Sequence, residues 1–348
     1  MHIYEYLFAA FVVISILLAS TFMLTITSEP LRVSSERENL KAIAQRILTQ
    51  ILLDPGDPID WGSNTSISDS NLKSFGLAYQ HTEISPKDAY MLDADKISRL
   101  NRENPFYISP TKVRDLLGLS AEYGFTIEIL PALDIEVNQT ESNTYRVRVK
   151  SIHNVSPISD ANVTAKIYYI ISNGLIESYE IGPYKTGADG TININITPSS
   201  DKYVIVLIVE YYNIIVPKII GCNVNWAYLT GNILRLYSSP MPISNIEVIA
   251  SPEGGLYKVG NLSISLSYVA QYPNGGNLYE VNVIEPGLIS VLVTTGNDLI
   301  VATKMLNSTY GTISFASSSN PLGYVMEESV LVDGFSYIIR LYIWRLVW

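Results

Sequence analysis

The chain has 348 residues, 47% hydrophobic and only 16% charged, with a net charge of -10, three histidines and one cysteine. Ordinary soluble domains carry roughly a quarter charged residues, so this chain is too apolar to be disordered and apolar enough to build a core. The acidic balance excludes nucleic-acid binding through phosphates, and a single cysteine excludes an intrachain disulfide framework.

The mildly positive mean hydropathy, +0.19, has a local source. Leu7 to Ile26 reads LFAAFVVISILLASTFMLTI, without a charge and interrupted only by Ser15, Ser20, Thr21 and Thr25. About 20 such residues at a 1.5 Å rise span a bilayer core, so the run predicts an uncleaved single-pass anchor over 1–28 with the lipid bilayer as its partner. Arg32, Arg37, Lys41 and Arg46 follow the span and none precedes it, which by the positive-inside rule favours a cytoplasmic C-terminal side. The rest of the chain points the other way. It is Lys-poor, β-rich and carries seven Asn-x-Ser/Thr sequons, at Asn64, Asn138, Asn154, Asn162, Asn195, Asn261 and Asn307. These are candidate glycosylation sites of an extracellular region, so the C-terminal part is expected outside a cell membrane.

After the span, Leu40, Ile43, Ala44, Ile47, Leu48, Ile51 and Leu52 recur at helical spacing and predict an amphipathic helix. It starts either at a capping box, Ser35 with Glu38, or as a continuation of the membrane helix through Pro30, whose ring removes one backbone hydrogen bond. It stops at Asp54-Pro55-Gly56-Asp57-Pro58. Through 59–130, Trp61, Phe75 to Ala78 and Tyr90 to Leu92 read as core anchors. Asp95 to Asn101 and Thr111 to Leu119 read as short helices, and Phe125 to Leu130 as a strand.

Beyond residue 130 the charge density falls from a quarter to about an eighth, and alternation replaces helical periodicity. Tyr145 to Lys150, Val163 to Ile171 and Thr191 to Ile196 alternate, while Tyr203 to Val209 is apolar throughout, as a strand covered on both faces is. A β-sandwich over 131–220 follows. A second β domain is expected over 221–348, with strands at Leu262 to Tyr268, Tyr279 to Ile284, Leu288 to Thr294, Leu299 to Met305 and Tyr310 to Phe315. It ends in a hairpin turning at Asp333-Gly334, whose long aromatic last strand belongs in the centre of a sheet. The fold class is therefore α+β and mostly β: an N-terminal transmembrane helix running into an amphipathic helix, a helical base over 29–130, then two β-sandwich-like domains.

Chemical signatures are sparse. His2, His81 and His153 lack metal-ligand spacing, and Cys222 has no CxxC partner and reads as a buried small hydrophobe. Ser70…Lys73 and Ser109…Lys112 match Ser-x-x-Lys without its companion motifs. Asp54, Asp57, Asp60, Asp93 and Asp95 offer oxygen-rich loops of the kind that bind calcium, but the neighbouring prolines and glycine fit turn chemistry better. No catalytic residue, cofactor-binding residue or metal ligand is assigned, and no enzyme activity is expected.

Two stretches resemble known families. Glu5 ahead of an apolar span that continues into an amphipathic helix, with Ile51-Leu-Leu-Asp-Pro-Gly-Asp-Pro-Ile-Asp-Trp61, Phe75-Gly-Leu-Ala78, Leu92-Asp-Ala-Asp-Lys-Ile97 and Leu117-Gly-Leu119, resembles archaeal type IV pilin-like surface proteins. That resemblance implies assembly through the apolar N-terminal helices, with Glu5 as an assembly residue and copies of itself or other pilin-like or envelope proteins as partners. Pro157-Ile-Ser-Asp-Ala-Asn-Val163 followed by Thr186-Gly-Ala-Asp-Gly-Thr-Ile192 resembles Ig-like domains of the carboxypeptidase-regulatory and invasin type, which implies a stalk or adhesive module. The expected function is a membrane-anchored structural and interaction protein of the cell surface. The alternative is a surface module that binds carbohydrate or protein.

Overall fold

The structure, a computed structural model, describes residues 2–80, 90–102, 104–171, 174–236, 243–250, 257–258, 266–271, 277–281, 288–295, 298–304, 310–315 and 323–346, with the side chains of 2, 3, 5, 23–34, 243–245, 247–250, 257–258, 266, 288–289 and 310–312 outside that description. It is mostly β, with one long helix and several sheets.

The helix His2–Leu53 runs for 52 residues. It passes through Pro30 without a break, so the amphipathic segment continues the apolar one and does not start at a cap at Ser35. A proline in a helix removes one hydrogen bond, which neighbouring turns can absorb. The predicted stripe is its buried face: Leu40, Ala44, Ile47, Leu48, Ile51 and Leu52 all enter the largest core cluster. The helix ends before the Pro-Gly-Asp-Pro turn, where Trp61 is fully buried and its Nε1 donates to the carbonyls of Pro55 and Gly76, 3.2 Å each. Gly76 allows that turn to close, because a Cβ there would lie 1.8 Å from the Asp54 carbonyl oxygen.

The two short helices form as Ala94–Ser98 and Pro110–Leu116, capped by Asp93 and Ser109. Each cap side chain accepts backbone N–H bonds left open at a helix start. Ser109 of the Ser-x-x-Lys match is thus a helix cap, its Oγ accepting from Lys112 N.

Helix and short elements pack on a five-stranded sheet in the order Met91–Leu92, Gly323–Val332, Phe335–Arg345, Tyr123–Pro131, Tyr310–Phe315. The hairpin turns at Asp333 and Gly334, both at positive φ (49° and 84°), and its last strand is central, as its aromatic, apolar composition predicts. Its partner differs from the sequence expectation. Phe335–Arg345 pairs with Tyr123–Pro131, Tyr123 opposite Arg345 and Pro131 opposite Tyr337. The C-terminal strands therefore complete the sheet of the N-terminal base, and the intervening chain loops out between Pro131 and Tyr310.

That intervening chain holds two further layers. A three-stranded sheet (Leu133–Glu141, Thr144–Ser151, Thr191–Asn195) faces a four-stranded one (Ile176–Lys185, Asn162–Ile170, Tyr203–Tyr211, Ile214–Cys222). Val147, Val149, Ile205 and Leu207 meet between them in a core of their own. The opposite face of the strand Tyr203–Tyr211, through Val204, Val206 and Ile208, joins the large core shared with the base. Burial on both faces is why Tyr203 to Val209 is uninterruptedly apolar.

An eight-stranded sheet follows, running from Tyr257–Lys258 through Ile243–Ala250, Leu288–Thr295, Asp298–Thr303, Asn225–Thr230, Ile233–Leu236 and Asn277–Val281 to Leu266–Gln271. Its one parallel pair joins Asn225–Thr230 to Asp298–Thr303. The alternating stretch before residue 266 lies outside the described residues, as do residues 282–284 of the strand expected to reach Ile284.

Candidate functional site

The N-terminal helix divides by exposure. Around Ala44, Ile47 and Ile51 it is sealed at 0% exposure. Along 6–22 it stands clear of the body: Phe8 is 71% exposed, Phe11 68%, Leu18 65% and Phe22 67%. Those four share one side, and Val13 (56% exposed), Ile14 (55%), Ile16 (59%) and Leu17 (61%) cover the others, so the surface is apolar all round. A helix of that kind belongs in lipid or between other helices, not in water. Its polar members are neutralised locally, since Ser20 Oγ donates to the Ile16 carbonyl at 2.7 Å and Thr21 Oγ1 to the Leu17 carbonyl at 2.6 Å. Bonding back to the preceding turn satisfies these two hydroxyls without water. Among the described residues no helix is long and apolar enough to cross a membrane. The described side chains of the run stop at 22, short of its sequence end at Ile26. Glu5 lies within the helix, and its side chain is outside the described residues.

A groove of about 540 Å³ opens where the base meets the sandwich. Tyr90 and Tyr211 supply ring faces, Ser151, Ser156, Ser159, Ser329 and Ser336 supply hydroxyls, and His153 stands at its edge, while Tyr337 borders the groove with its ring buried in the core. His153 Nδ1 lies 3.2 Å from Glu327 Oε2, which ties the sandwich to the strand Gly323–Val332. Next to the groove, Tyr212 at the tip of a hairpin is 87% exposed and packs edge-on against Tyr211. Such a mixture of rings and hydroxyls can hold a polar organic ligand.

A cluster of charges fastens the eight-stranded sheet to the base. Asp95 accepts from Gly231 N at 2.8 Å and from Lys304 Nζ at 2.9 Å. Lys96 is fully buried, donates to the Ala78 carbonyl at 2.9 Å and lies 3.6 Å from Asp93. Burial pushes the Asp93 carboxyl above its usual range and Lys96 below. Burial also lowers Lys304, but Asp95 and Asp333 outweigh it and hold that ammonium above its ordinary value. Asp333, at the hairpin turn, is raised to about 7 by burial and by Asp95 and Asp93, against the pull of Lys304. Three carboxylates and two ammonium groups leave the cluster one negative charge over when all are ionised. Two of its members are visible in the sequence as Asp93 and Asp95. Lys304 and Asp333 are isolated charges whose role emerges only when the chain folds.

Among the described residues no group of three or more His, Cys, Asp or Glu could hold a metal ion. The aspartates near 54–60 do turn chemistry: Asp54 accepts from Gly56 N and Ser74 Oγ, and Asp60 from Asn64 Nδ2. Cys222 is a half-buried free thiol on the margin of the sandwich core. His2 opens the long helix with its side chain outside the described residues, and His81, Asn261 and Asn307 lie outside them altogether. Asn138, Asn154 and Asn195 are exposed, and Asn64 and Asn162 are half-buried. No protein-family model matches this chain, and no curated protein does. The pilin-like and Ig-like resemblances therefore rest on the quoted segments alone.

Proposed function

We propose that this chain is a membrane-anchored structural and interaction protein of the cell surface, held through residues 7–26 with its β-rich body outside. One observation carries the reading: a single helix is buried in the body along one half and uncovered, apolar on every side, along the other. Exposing that many large apolar side chains to water costs about 25 cal/mol for each Å² of apolar surface. Insertion into lipid, or packing against other such helices within it, removes the cost. The pilin-like resemblance supports the second role beside the first, with copies of this chain or other pilin-like envelope proteins as partners. The groove with Tyr90 and Tyr211 supports the alternative of a surface module that binds carbohydrate or protein, and that role is compatible with the same anchor.

Extraction of membranes with alkaline carbonate tests the anchor. The full chain stays in the pellet, while the double variant Leu17→Arg, Leu18→Arg moves into the supernatant, each arginine at the centre of a span costing about 3 kcal/mol. Release of the parent chain by carbonate alone contradicts the reading.

A further inference from the structure

We infer that Asn154 is the sequon of this chain best built to receive an N-linked glycan, because its turn holds the carboxamide as an exposed nucleophile with its oxygen already engaged. This rests on the surface reading above and goes beyond it by choosing among the sequons.

The described sequons fall into two geometries. Asn138, Asn162 and Asn195 sit on β-strands. A strand rises about 3.3 Å per residue, so for Asn138 and Asn162, whose Thr140 and Thr164 lie on the same strands, the hydroxyl stands roughly 6.6 Å further along and does not reach the carboxamide. Asn195 is engaged elsewhere, its Oδ1 accepting from Thr144 Oγ1 at 3.0 Å. Asn162 opens a strand paired on both sides, opposite Lys185 and Glu210.

Asn64 and Asn154 sit in turns, and in both the hydroxyl two residues on comes back to the carboxamide. Ser66 Oγ donates to Asn64 Oδ1 at 2.6 Å, and Ser156 Oγ donates to Asn154 Oδ1 at 2.7 Å. The backbone N–H of Ser156 donates to the same oxygen at 3.2 Å. Asn64 is then committed twice more, its Nδ2 donating to Asp60 Oδ2 at 2.9 Å and its carbonyl accepting from Arg99 Nη1 at 3.1 Å. Asn154 Nδ2 has no such partner among the described residues. Residues 153–156 are all exposed, and Val155 between Asn154 and Ser156 takes a positive φ of 56°. Beside it the groove lined by Tyr90, Tyr211, Ser156 and Ser336 leaves space, ring faces and hydroxyls for a first sugar.

The donor is a lipid phosphate- or pyrophosphate-linked sugar, delivered by a membrane transferase. Asn154 Nδ2 forms a bond to the anomeric carbon as that carbon's bond to the phosphate oxygen breaks. The phosphate leaves with the bonding electrons, and Nδ2 loses one proton to a base on the transferase.

Peptide mass mapping of the full chain recovered from the surface of the cells that make it tests the assignment. The Asn154 peptide carries a glycan, and the Asn162 and Asn195 peptides are bare. Ser156→Ala keeps the asparagine yet loses at least nine-tenths of the modification, Ser156→Thr keeps it, and circular dichroism confirms that both variants fold. A bare Asn154 beside a modified Asn138 or Asn195, or full modification of Ser156→Ala, overturns the assignment. So does a chain with no modified sequon whose body is still digested by protease added outside the cell, a result that leaves the surface reading standing. If the body is protected on intact cells, it is the surface reading that has failed.

Discussion

Arg99 does at the residue scale what the charge cluster does between layers. Its guanidinium donates to the backbone carbonyls of Trp61, Asn64, Ile67 and Phe106 and lies over the Trp61 ring at 5.8 Å. Burial lowers its pKa to about 10, so it stays charged and holds a loop that has no regular structure of its own. Arg99→Met leaves several buried carbonyls unpaired and is expected to cost about 3 kcal/mol or more in urea unfolding; a loss below about 0.5 kcal/mol contradicts this role. Arg99→Lys does not restore it, since an ammonium lacks the planar fork. Asp333 makes a prediction about pH. Its carboxyl titrates near 3.8 when unfolded and near 7 in the fold, so the folded protein binds the additional proton between those values. Through this group stability is lowest above pH 7 and rises as the pH falls toward 4, with Asp93 shifted in the same direction. Asp333→Asn, which tolerates the positive φ of this turn, flattens that slope and raises Tm at pH 8 toward the pH 5 value. An unchanged slope in thermal melts rules Asp333 out as its source.

At the scale of elements, local periodicity was readable and pairing was not. The stripe Leu40 to Leu52, the Asp333-Gly334 hairpin and the doubly covered strand Tyr203–Tyr211 follow from spacing, because each is set by residues a few positions apart. That Phe335–Arg345 pairs with Tyr123–Pro131 is set by contacts that only the folded chain makes, and neither strand's sequence names its partner. For the same reason the apolar surface of the first helix was legible, whereas the groove was not. Its walls come from residues near 90, 133, 156, 211 and 337. The base consequently depends on the far end of the chain. Phe335, Tyr337, Ile339, Leu341 and Ile343 share the core of Ile47 and Ile51. Ending the chain after residue 322 therefore exposes the helix stripe, and limited proteolysis is expected to cut within 29–130. A base that stays resistant after this truncation would mean that it folds without the hairpin.

For the whole molecule, the first and last segments of the chain build one unit, and the two-layer sandwich and the eight-stranded sheet extend from it between Pro131 and Tyr310. A loop-out of this kind keeps the sandwich and the eight-stranded sheet tethered at both ends. The charge deficit lies in that looped-out region, where Ser, Thr, Asn and Tyr replace Lys and Glu. The proposal that the anchor lies in lipid with the body outside meets its most direct test in protease added to intact cells that make the full chain. Digestion of everything beyond the base, with an N-terminal fragment containing residues 7–26 left in the membrane, is the result expected. Complete protection until the cells are lysed would contradict it.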